Sequence, residues 1–218
     1  MTMDSGPVRK RRRREAEKVS KADISRERVL IAAARIFSVR GYAGTTMRDI
    51  AKGAGLQAGS LYYYYPSKDL LIEAVLDMGI HGVSNAVYST IAGLPPSTTY
   101  ADRIRAAVLA HLQSVLEFGD YALASRRVLG QVPPDVRRKH VLRRDAYGDF
   151  WVKLLEAARG AGELRDDVDL KLARTFILGA LNSALEWYRP DGMSIDEVAS
   201  QFNAMISDGL FRLPRAEG

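Results

Sequence analysis

Residues 45–70 constrain the fold of this chain more than any other stretch. They read T-T-M-R-D-I-A-K-G-A-G-L-Q-A-G-S-L-Y-Y-Y-Y-P-S-K-D-L. The hydroxyl of Thr45 or Thr46 can cap a helix, Asp49 then lies in its first turn, and Gly53 begins the glycine-containing stop after about two turns. A second short helix follows at once. Two short helices joined by a turn that contains glycine form a helix-turn-helix.

The second short helix begins near Gln57 and ends before Pro66. Ala58, Leu61 and Tyr62 recur at helical spacing, and we expect Leu61 to be buried against the first short helix. Small residues on the outward face let a helix approach base edges in a major groove, where amide and hydroxyl groups bond to bases and phosphates. That face comprises Gln57, Ala58, Gly59, Ser60, Tyr63 and Tyr64. The alternative is an aromatic patch of a buried helix, although a core could satisfy only some of four consecutive phenols.

These residues give the chain a resemblance to the TetR family of transcriptional repressors. The family signature is met by a first helix that ends in an aromatic residue and a glycine, here Phe37 and Gly41. It is also met by T-T-x-x-x-I-A-x-x-A-G over residues 45–55 and by G-S-L-Y-x-Y-[FY]-x-S-K-x-x-L over residues 59–71. The resemblance implies that Lys68 contacts a DNA phosphate. The candidate DNA contacts are therefore Thr45, Thr46, Arg48, Gln57, Ala58, Gly59, Ser60, Tyr62, Tyr63, Tyr64 and Lys68.

Charge is distributed unevenly along the chain. The first 70 residues hold 15 Lys and Arg against 7 Asp and Glu, and the remaining 148 hold 17 against 19. The basic excess therefore lies with the helix-turn-helix, which favours double-stranded DNA as the partner, with an acidic membrane surface as the competitor. No membrane-spanning segment and no secretory signal are expected. The absence of cysteine favours a reducing cytoplasm, where the protein would be associated with the nucleoid.

Residues 1–23 are expected to form a disordered basic arm. Six consecutive cations at residues 9–14 repel one another and cannot be buried. The arm is either a solvated tail or a segment that lies along phosphates or in the minor groove and adds salt-sensitive affinity.

The remaining sequence is helical with clear stops, and no stretch alternates with period two. We predict an all-α fold of about nine helices. The first helix covers residues 25–40, a long helix starts at Ser67, and later helices cover residues 100–118, 121–129, 134–159, 169–188 and 195–211. The predicted division is an arm at 1–23, a DNA-binding domain at 24–70, and a ligand-binding and dimerisation domain at 71–218.

The last two helices are apolar on more than one side, so they need two burial partners. The family dimerises through this hairpin, and we expect a homodimer through residues 170–188 and 195–211. The alternative is a hairpin buried within one monomer. A dimer would bind a palindromic operator, because a single reading helix contacts too few base pairs for a genomic address.

The resemblance also implies a body whose apolar cavity binds a small-molecule effector that lowers operator affinity. Aromatic residues dominate such pockets, and the candidates are Phe118, Tyr121, Tyr147, Phe150, Trp151 and Phe176. Each is equally compatible with plain core.

The run at residues 182–210 resembles actinobacterial-type members of the family that sense acyl-CoA thioesters. If that likeness extends to the ligand, the nucleotide phosphates would meet Arg137, Arg138, Arg143 and Arg144. A solvated basic helix face and an apolar drug-like ligand are the competing interpretations.

Catalytic motifs are absent from the sequence. His81, His111 and His140 fall on three different predicted helices without a zinc-binding pattern, and the G-x-G-x-x-A at residues 53–58 follows a helix rather than a strand. We therefore expect no enzymatic activity, no metal site and no cofactor. Two alternatives remain: a constitutive DNA-binding architectural protein without ligand response, and an enzyme or membrane-surface protein that merely carries a basic N-terminus.

Overall fold

The computed structural model describes the backbone of residues 6–210 and the side chains of residues 23–210. Over that part of the chain the prediction of an all-α fold of about nine helices is confirmed. The helices are α1 (Gly6–Arg40), α2 (Met47–Gly53), α3 (Ala58–Tyr64), α4 (Lys68–Ala92), α5 (Tyr100–Glu117), α6 (Gly119–Val128), α7 (Pro134–Gly160), α8 (Leu170–Trp187) and α9 (Ile195–Leu210).

The first helix is longer than the sequence predicted. It begins at Gly6, whereas we expected disorder to residue 23 and a helix start near Ser25. The expectation for residues 6–23 is therefore wrong. Arg, Lys, Glu and Ala have high helix propensity, and extending an existing helix avoids the cost of nucleation, so local charge repulsion does not stop it. Residues 1–5 of the expected arm lie outside the described residues.

Capping side chains set most of the other helix starts. Thr46 and Asp49 form a reciprocal capping box at α2, and the hydroxyl of Ser67 accepts a hydrogen bond from Leu70 N at the start of α4. Asp169 caps α8 in the same way, accepting from Leu172 N at 2.7 Å. Since caps act within one turn, these starts can be recognised in the sequence.

Two glycines lie within α4 without interrupting it, and they make room for two aromatic residues. A Cβ at Gly82 would lie 2.8 Å from the ring of Phe118, and one at Gly79 would lie 3.2 Å from Tyr121 Cβ. Phe118 and Tyr121 also contact each other, with ring centroids 6.1 Å apart. The junction of α5 and α6 therefore packs against α4 at these two glycines. We call this contact site the α4 notch.

Two hydrophobic clusters make up the core. One lies in the body and joins α4, α5, α7, α8 and α9. The other surrounds the helix-turn-helix and includes Val128, Val132 and Val136 from the α6–α7 region. The body also touches the helix-turn-helix through Gln131, whose Oε1 accepts a hydrogen bond from Ala43 N at 3.2 Å. Packing is therefore continuous from the body to the motif.

Two ion pairs connect α4 to α7. Lys139 Nζ lies 2.8 Å from Glu73 Oε1, and Arg143 Nη1 lies 2.8 Å from Asp77 Oδ1. Each helix presents its two charges four residues apart, so the pairs lie one turn from each other along both helices. Because α4 begins at the helix-turn-helix, these pairs fix the position of that helix against the body.

Among the described residues, α4 is the one helix whose length and apolar composition would allow it to cross a membrane. One side of it, which includes Leu71, Val75 and Val87, is buried against the rest of the protein. In this structure α4 is a core helix.

Candidate functional site

The turn between α2 and α3 depends on one glycine and one arginine. Gly55 has φ 67°, a left-handed conformation that residues with a side chain rarely adopt. The guanidinium Nη2 of Arg28 on α1 donates a hydrogen bond to the carbonyl of Ala54 at 2.8 Å. That contact ties the turn to α1 and fixes where α3 begins.

The outward face of α3 is polar and small, as predicted. Leu61 is fully buried, and Tyr63 is 82% exposed. Gln57, Ala58, Gly59, Ser60 and Tyr62 are also exposed, and Tyr64 is half-buried with its ring edge-on to Tyr63 at 5.3 Å. Leu61, the residue of α3 expected to face inward, is the one residue of this seven-residue helix that is buried. No atom lies within 4 Å of where a Cβ of Gly59 would be.

The two threonines before α2 have different environments. Thr45 is buried, and its hydroxyl donates to the carbonyl of Gly41 at 2.7 Å, so its side chain cannot reach DNA and this predicted contact is wrong. Thr46 is exposed at the helix N-terminus. The carboxylate of Asp49 accepts from the Thr46 hydroxyl and backbone, and these bonds lower the pKa of Asp49. Arg48 is exposed on α2.

Lys68 is turned inward rather than free in solvent. Its Nζ donates to the carbonyls of Tyr42 at 2.9 Å and Thr45 at 3.1 Å, and lies 4.1 Å from the centroid of the Tyr42 ring. The Tyr42 hydroxyl donates to Asp69, and burial together with that hydrogen bond raises the pKa of Tyr42 to about 12. Two of the three ammonium protons are thus used within the protein. This arrangement explains why a cation is accommodated at the N-terminus of α4.

Lys68→Met should lower the stability of the DNA-free protein by about 1 to 2 kcal/mol, because two carbonyl groups lose a charged donor. Thermal or urea unfolding measures the change. Lys52→Met is the matched control, since Lys52 is exposed on α2 and its side chain makes no hydrogen bond with any described residue. Equal stability of the two variants would mean that Lys68 does not stabilise the fold and that its role is limited to DNA binding.

The six aromatic residues predicted to line a ligand cavity lie in three separate places. Tyr147, Phe150 and Trp151 meet in the body core, whereas Phe118 and Tyr121 occupy the α4 notch. Phe176 projects from the surface of α8. The prediction that all six residues line one cavity is therefore wrong for Phe118, Tyr121 and Phe176. The spacing of aromatic residues along the sequence does not determine which helix face each one occupies.

Sequence reasoning missed two residues of the core cluster. Tyr88 of α4 lies with its ring centroid 4.7 Å from that of Phe150 and 6.0 Å from that of Tyr147. His111 of α5 stacks on Tyr147, with 2.8 Å between Nδ1 and the phenol oxygen. The signal for His111 was in the sequence, since it is the polar member of an otherwise apolar helical stripe. Burial lowers the pKa of His111 to about 4.

The four arginines proposed for ligand phosphates do not converge on one point. Arg138, Arg143 and Arg144 already pair with Asp135, Asp77 and Asp145. Arg137 forms no ion pair or side-chain hydrogen bond with any described residue. With Arg138 it lines an open groove of about 580 Å³, whose other walls are Gly130, Val132, Pro134, Val141 and Leu142.

An apolar surface extends over the outer faces of the last two helices. Leu172 is 68% exposed and Phe176 59%, while Ile177 and Leu181 of the same helix are buried in the body. The full outer surface comprises Leu172, Phe176 and Trp187 of α8 and Met205 of α9. We call it the α8–α9 face. As the sequence predicted, α8 is apolar on two sides, and only one is covered within the monomer.

The histidines do not gather into a metal site. His81 is exposed on α4, and His140 on α7 is buried with Nε2 3.0 Å from the Ser125 hydroxyl. Across residues 23–210, no group of three or more His, Asp or Glu side chains is arranged to hold a metal ion.

The helix α3 is short, has an exposed outer face and is anchored by one buried leucine. The turn before it is fixed, and the motif packs on a helical body. This arrangement defines a helix-turn-helix DNA-binding protein. Residues 29–75 match the family of bacterial regulatory proteins described as the tetR family, and residues 97–210 match the tetracyclin repressor-like C-terminal domain. The chain belongs to the TetR family of transcriptional regulators. It is a DNA-binding transcriptional repressor of that family, which is a family of regulators rather than of enzymes.

Several relatives match the chain over most of its length. The transcriptional repressor KstR2 of Rhodococcus jostii RHA1 is 30% identical over 195 residues, covering 85% of this chain and 90% of the relative. The structure of the ketosteroid regulator KstR2 of Mycobacterium tuberculosis superposes with a TM-score of 0.75 at 24% identity, covering 86% and 95% of the chains. AibR, crystallised with isovaleryl coenzyme A and operator DNA, gives a TM-score of 0.72 at 23% identity, covering 83% and 97%.

Proposed function

We propose that this protein is a homodimeric repressor that binds a palindromic operator and leaves it when a small, largely apolar ligand enters the body. The exposed face of α3 carries the proposal. It presents Gly59, Ser60 and Tyr63 to solvent on a helix that the Arg28 contact holds in place. A base-reading helix needs small residues for close approach and hydroxyl groups for hydrogen bonds.

The α8–α9 face supports the dimer. Large apolar side chains that stay exposed on helices whose other sides are buried are the usual mark of a protein interface. A second copy of the same hairpin, related by a two-fold axis, would cover both faces at once and form a four-helix contact. Two reading helices would then address two half-sites, so the operator should be a palindrome. The setting we propose is the cytoplasm, with the protein on its DNA.

For the ligand we propose a molecule whose apolar part enters the body, with an acyl-CoA thioester as the leading class. Its support is the fold shared with the regulator crystallised with isovaleryl coenzyme A. The groove at Arg137 and Arg138 could receive phosphates, because one of its guanidinium groups is unpaired. Ligand binding would act through α4, which packs on the body cluster and begins at the helix-turn-helix.

Deleting the gene tests the sign of regulation. Transcripts of the genes beside the operator should rise in the deletion strain and fall again on complementation with the natural protein. Complementation with a Gln57→Ala, Tyr63→Ala variant should leave them high. Transcripts that fall on deletion would instead identify an activator.

Isovaleryl-CoA tests the ligand class on a purified operator complex. Release at micromolar concentrations, with no release by free CoA, would support the acyl-CoA proposal. An operator complex that no apolar compound or thioester dissociates would favour the constitutive architectural protein.

A further inference from the structure

A cluster of polar and aromatic side chains occupies the centre of the body, away from the helix-turn-helix. Nδ1 of His111 on α5 lies 2.8 Å from the hydroxyl oxygen of Tyr147 on α7. Trp151 packs edge-on against both of these rings. All three side chains are more than nine-tenths buried. Polar groups at such a depth need hydrogen-bond partners to offset the loss of water.

Two polar atoms of the cluster have no such partner. Nε2 of His111 and Nε1 of Trp151 are fully buried, and neither makes a hydrogen bond with any described residue. Asn182 of α8 lies beside the imidazole and the Tyr147 hydroxyl lies beside the indole nitrogen, but no hydrogen bond of ordinary geometry joins either pair. Buried nitrogen atoms without partners are rare in native proteins, and two in one cluster call for an explanation.

The cluster is polar but uncharged. Burial lowers the pKa of His111 to about 4 and raises the pKa of Tyr147, so both are neutral near pH 7. When the Tyr147 phenol donates to Nδ1, the proton of the imidazole is on Nε2. The indole nitrogen is always a donor. Two neutral donors among aromatic rings suit an oxygen acceptor without charge, because a carboxylate there would lose its hydration and gain no cation within the cluster.

We infer that His111 and Trp151 form the polar end of the effector site and bind the neutral carbonyl oxygen of an otherwise apolar molecule, such as a thioester or a ketone. This inference rests on the proposed function and names the chemistry by which its ligand is recognised. The rings of Tyr88, Tyr147 and Phe150 supply the apolar wall. Tyr88 belongs to α4, so a ligand that separates it from Phe150 also displaces the helix that begins at the helix-turn-helix.

Two matched pairs of probes test the inference on the full-length protein. Isovaleryl-CoA is compared with S-isopentyl-CoA, a thioether that lacks the carbonyl oxygen. Cyclohexanone is compared with methylenecyclohexane, in which a CH₂ group replaces the oxygen. Calorimetry should give about a tenfold preference for the carbonyl member of one pair, the effect of one buried hydrogen bond. The pair that shows the preference tells whether the natural ligand is a thioester or a free ketone.

Two substitutions assign the preference to a residue. His111→Leu keeps the volume approximately and removes the donor, so the preference should fall to within about twofold. His140→Leu is the matched control, because His140 is also buried but bonds to Ser125 outside the cluster. In a Trp187→Phe background Trp151 is the remaining tryptophan of the two, and its emission should shift with the carbonyl probes alone.

The possible results are distinct. Equal affinity within both pairs, a preference that survives His111→Leu, or an emission of Trp151 that no probe changes would overturn the inference. If the protein still protects an operator in that case, the proposed function stands without this site. Loss of the preference in His111→Leu, with His140→Leu unchanged, supports it. A protein that protects no operator would overturn the proposed function itself.

Discussion

Phe176→Glu should convert the protein to a monomer and weaken operator binding by at least about 100-fold. Phe176 is 59% exposed on the α8–α9 face and lies one helical turn from Leu172. A charge there would have to be desolvated in the dimer contact, and the burial of a phenylalanine, about 1.5 to 3 kcal/mol per protomer, would be lost. A monomer contacts one half-site, which removes most of the specific affinity.

Leu142→Glu provides the matched control for this prediction. Leu142 is 65% exposed on α7 and lies outside the α8–α9 face, so the same change in charge and size should leave the mass and operator affinity unchanged. Sedimentation equilibrium gives the mass, and a gel-shift titration gives the affinity. A Phe176→Glu protein that remains dimeric would show that the subunits associate elsewhere.

Gly59→Leu should abolish specific operator binding while leaving the free protein folded. The position of its Cβ is open, with no atom within 4 Å, and a helix gains about 0.5 to 1 kcal/mol when glycine is replaced by a residue of better propensity. The melting temperature should therefore stay the same or rise slightly. A leucine side chain would, however, hold α3 away from the base edges, and we expect about a 100-fold loss of operator affinity.

Gly160→Leu on α7 tests the same change far from DNA, since no atom lies within 4 Å of that Cβ either. It should bind the operator like the natural protein. Non-specific binding at low salt should persist in Gly59→Leu, because phosphate contacts carry it. An unchanged operator affinity in Gly59→Leu would exclude α3 as the reading helix.

The helices of this protein were predictable because their starts and stops depend on neighbouring residues. Thr46 and Asp49 satisfy each other within one turn, and Pro66 limits the helix before it. The start of α1 was missed for a related reason. The charges of residues 9–14 favour disorder when they are considered alone, but the helix that follows them lowers the cost of continuing.

Contacts between distant residues could not be predicted in the same way. Lys68 matches the family signature, yet its direction depends on the carbonyls of Tyr42 and Thr45, more than 20 residues earlier. Burial of Thr45 follows from the same turn. The pairing of Gly82 with Phe118 and of His111 with Tyr147 likewise depends on how helices pack. A helical stripe identifies an apolar face but not the side chain that will oppose it.

A dimer of this chain should recognise one palindromic operator through two copies of α3. Footprinting of the purified protein on fragments that it enriches from the sheared DNA of its own source tests this most directly. We expect a protected site with two-fold symmetry, its half-sites separated by about 10 base pairs or a multiple of that spacing. Uniform enrichment of all fragments, with no protected site, would contradict this expectation and identify a protein that binds DNA without sequence specificity.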